Sequence, residues 1–154
     1  AHYAGAHELS GHGVSFSCFS AEENGHHRAW LDRFAEECSR LRFRRVSEHF
    51  GFSTGGDFHR GAPLPVPYAP ALVRLARSRL ADVRAIAGCP VGLENLALAF
   101  SLDDVLRQGA YIDEILTPLD GYVVLDLHNL YCQHHNFGVP LERLVEAYPL
   151  ARVQ

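Results

Sequence analysis

The sequence contains no lysine and no methionine, so its 14 basic side chains are all arginines. Its first residue, Ala1, is not an initiator, and the chain reads as a segment whose natural start lies upstream or as a chain with residues left out. The arginines are scattered among 18 acids, and a net charge of -4 with a pI near 6.2 leaves no basic stripe for a polyanion. Nucleic acid is thereby excluded as a partner. No apolar run approaches the roughly 20 residues of a membrane-spanning helix, and no secretory signal opens the chain. No membrane partner is expected, and cytosolic residence is the expectation. Cys18, Cys38, Cys89 and Cys132 form no CxxC pair, which excludes a zinc ribbon and a thioredoxin-like centre and predicts reduced, buried thiols. GxGxxG and GxxxxGK(S/T) phosphate loops are missing, as are a GxSxG elbow and the caspase and papain cysteine signatures. Acyl transfer by an activated Ser or Cys therefore has no support.

What is present is a chain of 154 residues, 47% apolar, with a mean hydropathy of -0.07. That is enough for one domain with a hydrophobic core, residues 1–154, and no linker divides it. Strand and helix signals alternate. A strand begins at Val14-Ser15-Phe16, just after His12. Leu31, Phe34, Ala35, Cys38 and Leu41 then recur at helical spacing within 28–41. The strand 45–50 follows, and the Gly- and Pro-rich stretch 51–67 predicts a long ordered loop over one rim. A second helix starts near Pro70 and stops at Gly88. Strand 90–94 precedes a third helix capped by Ser101 with Asp104 three residues on. Tyr122 to Leu127 reads as the fourth strand, and a last helix begins at Pro140.

This alternation predicts an α/β fold with a parallel sheet covered by helices. A doubly wound sheet satisfies the pattern too. The barrel reading is preferred because no phosphate loop follows any strand, whereas every strand has potential metal ligands beside it. Four strand and helix units make about half of an eight-stranded TIM barrel, which takes about 250 residues.

The ligand candidates lie at strand tips: His12 in Gly11-His12-Gly13, Glu48-His49, Glu94-Asn95 and Asp126-Leu127-His128-Asn129. An acid or imidazole buried at the end of an apolar strand costs free energy unless it is paired or coordinated. Side chains alternate along a strand, so only one of Glu48 and His49 can aim at a shared centre. His49 is the expected ligand, with Glu48 a supporting acceptor. Asp126 and His128, two apart, would share one side of an extended strand and hold one ion together. Bland readings stand beside these: a turn histidine at 12, an ion pair of Glu48 with Arg44 or Arg45, and a helix cap for Glu94. His26-His27 and His134-His135 are expected to face solvent. Oxygen and nitrogen ligands without thiolate suit Fe(II), Mn or Zn, and the number of candidates suggests more than one ion, with Glu94 bridging.

Several motifs in order resemble one family. They are Gly11-His12-Gly13-Val14-Ser15-Phe16-Ser17, Val46-Ser47-Glu48-His49-Phe50-Gly51-Phe52, Pro63-Leu64-Pro65, Val91-Gly92-Leu93-Glu94-Asn95, Leu125-Asp126-Leu127-His128-Asn129-Leu130-Tyr131 and Asn136-Phe137-Gly138. Together they resemble the multinuclear non-haem iron-dependent oxidases, long known as a domain of unknown function. That family includes the methanobactin biosynthesis oxidase and the peptide cysteine enzyme of thiaglutamate biosynthesis. The resemblance implies a TIM barrel of the xylose-isomerase-like type and two or three irons in the complete protein. It implies the ligands His12, His49, Glu94 and Asp126, with His128 adding another contact, and Glu48, Asn95, Asn129 and Asn136 around the metals or substrate. It further implies a dioxygen-dependent oxidase that reworks a cysteine in a ribosomally made precursor peptide, aided by a small leader-binding partner protein. The family's first strand and its later His, Asp and Glu ligands, expected after Val153, are not in this sequence. Rival readings are a Zn- or Mn-dependent isomerase or phosphodiesterase of related barrels, and a non-catalytic peptide-binding remnant.

Overall fold

The computed structural model describes residues 9–21 and 25–154, without side chains at 59–61. In chain order its elements are β1 (Leu9–His12), α1 (Gly25–Arg40), β2 (Phe43–His49), β3 (Phe52–Gly55), β4 (Phe58–Leu64) and α2 (Pro70–Ala87). They continue with β5 (Val91–Glu94), α3 (Leu102–Leu116), β6 (Tyr122–Val124), α4 (Leu127–Phe137) and α5 (Leu141–Glu146). Four strands form one parallel sheet in the order β1-β2-β5-β6. Each new strand is added to the same edge, whereas a doubly wound sheet reverses direction part-way. Val153 continues that progression by bridging in parallel to Val123, and the Gln154 N–H donates to the Val123 carbonyl at 3.1 Å. The connecting helices pack as neighbours, α1 on α2 and α2 on α3. This is an α/β architecture compatible with a stretch of (β/α) barrel wall.

Helices α2 and α3 form where their stop and start signals predict. Pro70 opens α2, whose Val73, Ala76, Leu80 and Val83 are buried. The helix ends at Gly88, which at φ 62° takes the left-handed conformation that a β-carbon disfavours. Ser101 caps α3 by accepting the Asp104 N–H at 3.2 Å, and Val105, Ile112, Ile115 and Leu116 face inward. These side chains meet Val46, Val91, Leu93 and Val123 of the sheet to form the core. Among the described residues, no helix is long and apolar enough to cross a membrane.

Four local expectations are corrected. The first strand is Leu9–His12 rather than Val14–Phe16, because Ser10 and Gly11 pair with Arg45 and Val46 and put His12 at the strand's end. The segment 51–67 is not a loop throughout. Its β3 and β4 form an antiparallel hairpin apart from the main sheet, where an edge tolerates Pro63. Ser17 holds that hairpin in place, its Oγ accepting the N–H groups of Ser53 at 2.8 Å and Thr54 at 3.2 Å. Strand β6 stops at Val124, and α4 follows where a strand and loop were expected. The paired histidines do not simply face solvent. His27 is buried in α1 with Nε2 3.3 Å from the Ser17 carbonyl, and His26 Nε2 lies 2.8 Å from the Ser15 carbonyl. His134, half-buried in α4, lies 2.6 Å through Nδ1 from the Val139 carbonyl, and only His135 is exposed.

Candidate metal centre

Three neighbouring strands end on three potential ligands. His12, His49 and Glu94 are the last residues of β1, β2 and β5, and the register sets His49 opposite Glu94 and His12 opposite Ser47. Because the strands are parallel, their carboxyl ends lie on one rim, so residues remote in sequence converge. His12 Nε2 is 2.8 Å from Glu94 Oε2, His49 Nε2 is 3.6 Å from the same oxygen, and the two imidazole nitrogens are 3.3 Å apart. One ligand atom from each residue lies within 4.8 Å of the others, so the group could hold a metal ion. A groove of about 370 Å³ runs from it down the inner sheet face past Ser47, Arg45 and Tyr122.

Electrostatics prepare the trio for a cation. The hydrogen bond to Glu94 raises the His12 pKa against the opposing pull of burial, while burial lowers that of His49. Without a metal, the proton on His12 Nε2 bridges to the carboxylate. A cation would take that proton's place. His12 Nδ1 lies 2.8 Å from Ser47 Oγ, a contact that fixes the ring and leaves Nε2 directed at the cluster. Ser47 was not singled out in the sequence. The signal was its position two residues before His49, on the same strand face.

Glu48 faces the other way. It is 2% exposed on the helix side of β2, and its Oε2 accepts the His49 N–H at 3.3 Å. It therefore supports His49 through the backbone, as an acceptor and not as a ligand. Burial pushes its carboxyl up to about 7, although the amides of His49 and Phe16 and the charge of His12 pull the other way. A β-carbon at Gly13 would overlap Glu48 Oε1. Gly13 is thus explained by the buried acid beneath it.

Asp126 and His128 do not share one side of a strand, because the chain leaves the sheet before them. The Asp126 carboxylate caps α4, Oδ1 accepting the N–H groups of His128 at 2.7 Å and Asn129 at 3.0 Å. Asp126 still lines the groove, but it lies outside the group whose ligand atoms gather within 4.8 Å. His128 is exposed on the first turn of α4, with Nε2 3.8 Å from Cys132 Sγ. Asn129 reaches the cluster, donating through Nδ2 to Glu94 Oε1 at 3.3 Å and to the Asn95 carbonyl at 2.8 Å. Buried Asn95 joins the two strand ends: Nδ2 donates to the Asp126 carbonyl at 3.1 Å, and Oδ1 accepts the Asp126 N–H at 2.6 Å. Asn136 is exposed two helical turns beyond Asn129, about 10 Å along the axis.

A buried clamp missed in the sequence lies just past Glu94. Gln108 Oε1 accepts the Leu96 N–H at 2.8 Å and the Tyr148 hydroxyl at 2.7 Å, and Gln133 Nε2 donates to the Leu96 carbonyl at 2.5 Å. Both glutamines are at most 4% exposed, so the exit of β5 is held from two sides. Only a recognised α4 would have revealed Gln133 as a polar residue on an apolar helix face. Gln133→Leu keeps the volume and removes the donor. It is expected to cost about 1–3 kcal/mol of stability in urea melts, and about tenfold in divalent-metal affinity by calorimetry, as for other outer-shell changes. Unchanged affinity would mean that the clamp does not orient Glu94.

Comparison with known proteins adds a lineage to this geometry. The family model described as "RiPP precursor modification enzyme MbnB/TglH/ChrH" matches residues 1–154; these enzymes act on precursors of ribosomally synthesised, post-translationally modified peptides. A "UPF0276 protein" of Chromobacterium violaceum is 28% identical over 143 residues, covering 92% of this chain and 51% of that protein. Another from Rhizobium meliloti is 28% identical over 149 residues, covering 94% of this chain and 47% of its own length. A third, from Acaryochloris marina, is 26% identical over 146 residues, with coverages of 93% and 51%. The chain thus spans about half the length of these relatives. With a match along its whole length, the chain belongs to the MbnB/TglH/ChrH family of RiPP precursor modification enzymes.

Proposed function

We propose that the complete protein is a non-haem iron oxidase that uses dioxygen to modify a cysteine of a ribosomally made precursor peptide. The single observation that carries the reading is the convergence of His12, His49 and Glu94 on one rim. Two imidazoles and one carboxylate, with further positions open, are the donor set that non-haem Fe(II) oxygenases use, and the residues fit the ion on that ground. Iron held there would supply dioxygen activation and bind the substrate thiolate. His12 and His49 would present neutral Nε2 atoms, Ser47 would hold the His12 ring, and Asn129 would fix Glu94 Oε1. Asp126, which lines the same groove, would help to hold further ions of a multinuclear centre of two or three irons. Strand order and the Val153 bridge support closure into a TIM barrel whose remaining wall completes the centre. A small leader-binding protein would present the peptide.

The test is metal analysis of the complete protein purified without oxygen, followed by oxygen uptake with the precursor peptide and with its Cys→Ser variant. At least one iron per chain and uptake only with the cysteine peptide are expected. Zinc or manganese with oxygen-independent turnover would point instead to an isomerase or phosphodiesterase. No tightly held metal would leave a peptide-binding remnant.

A further inference from the structure

We infer that Tyr122 is a positioning residue for His12 of the metal centre, its hydroxyl fixing the imidazole through Ser47 from three strands away. One row of register crosses the whole parallel sheet: His12 lies opposite Ser47, Ser47 opposite Gly92, and Gly92 opposite Tyr122. The third place in that row has no side chain. A β-carbon at Gly92 would come within 2.7 Å of Tyr122 Cε2 and Cζ, so the phenol ring lies across the Gly92 backbone in space that any larger residue would fill. Ser47 stands two strand spacings from Tyr122, about 9–10 Å, and a tyrosine lying along the row spans that distance. The hydroxyl arrives at Ser47, and the hydrogen bond between the two side chains opposes the upward push of burial on the phenol pKa.

The ring is held from other sides as well. Tyr122 is buried, and the Arg45 guanidinium lies over its ring with Cζ 5.6 Å from the centroid. Arg45 is tied in turn to β1, its Nε donating to Ser10 Oγ at 3.2 Å. Packing alone would be met by phenylalanine, because a buried hydroxyl costs free energy unless it finds a partner. The partner here is Ser47, whose Oγ lies 2.8 Å from His12 Nδ1. Serine and tyrosine hydroxyls both donate and accept, so the row can take a proton from Nδ1 in a hydrogen bond and leave the Nε2 lone pair for a cation. The Ser47 hydroxyl has one other neighbour, the Gly11 carbonyl at 3.5 Å, and Tyr122 decides which way it turns. The same contact couples His12 on β1 to β6, the strand that leads into Asp126.

The inference rests on the reading of His12, His49 and Glu94 as a metal site, and two readouts separate them. In the complete protein, Tyr122→Phe keeps the ring and removes the hydroxyl. Zn(II) affinity, measured by chelator competition, is expected to fall about tenfold, as for other outer-shell changes, with the circular dichroism spectrum unchanged. Because Tyr122 acts through Ser47, the Ser47→Ala variant and the Ser47→Ala, Tyr122→Phe double variant should agree within about twofold. In the metal-free protein, NMR of the ring nitrogens reads His12 directly. Tyr122→Phe should shift the His12 Nδ1 signal and leave that of His134, which bonds the Val139 carbonyl, in place. Wild-type protein that binds no Zn(II) would sink the metal reading, and the His12 signal would still decide for or against Tyr122. An unmoved His12 signal, unchanged Zn(II) affinity in Tyr122→Phe, or losses that multiply in the double variant would overturn the assignment.

Discussion

In the complete protein, Glu94→Ala is expected to lower metal affinity by more than about a hundredfold, beyond the ten- to hundredfold range of outer-shell changes, and to abolish the peptide modification proposed above. The carboxylate is 2.8 Å from one imidazole and 3.6 Å from the other, so its loss removes the only anionic donor of the trio. Two neutral imidazoles would remain 3.3 Å apart with no negative charge to balance a cation. Glu94 is also the acceptor for Asn129 Nδ2, which would lose a partner in the variant. Competition with a metallochromic chelator gives the affinity, and circular dichroism verifies the fold. Should the variant hold iron within about threefold of wild type, the trio is not the primary site.

Glu48→Gln is expected to stabilise the metal-free protein at pH 8 and to leave it unchanged at pH 4. The folded carboxyl titrates at about 7 and its ordinary value is 4.5, so the folded state favours the protonated form. Below pH 4.5 the group is neutral in folded and unfolded chains alike, and burial carries no ionic penalty. As pH rises from 4.5 to 7 the unfolded chain ionises first, and stability falls through that window. Above pH 7 the deficit levels off at about 3 kcal/mol, taking 1.36 kcal/mol per pH unit between the two values. Glutamine keeps an acceptor for the His49 N–H and has no charge to bury. Urea unfolding at several pH values reads the effect directly. A variant less stable than wild type at pH 8 would show that the buried charge is compensated and that Glu48 contributes in its ionised form.

The long periodic elements were legible in the sequence. Pro70, Gly88 and Ser101 marked helix ends through backbone chemistry that depends on few neighbours, and all three act where they were expected. His12, His49 and Glu94 were legible for a different reason. His49 and Glu94 close strands that the sequence marked, and His12 was picked out beside a strand that the structure moves to Leu9–His12; parallel strands bring their closing residues to one rim however far apart they lie in the chain. The region after β6 was misread. Tyr122-Val123-Val124-Leu125 has no internal stop signal, and Asp126 can serve equally as a ligand or as a helix cap. Two backbone N–H groups meeting one carboxylate oxygen decided in favour of the cap, and with it the position of His128.

Residue types and their order along the chain suffice to establish an α/β alternation and to put His49 and Glu94 at strand tips. They do so because backbone propensity, apolar periodicity and donor type are properties of short segments. Folding in three dimensions assigned the rest: Glu48 to the helix side, Asp126 to a cap, Gln108 and Gln133 to a buried clamp, and His128 to a cysteine one turn away. Those roles depend on which face a side chain takes and which remote backbone group it meets, and packing between distant segments sets both.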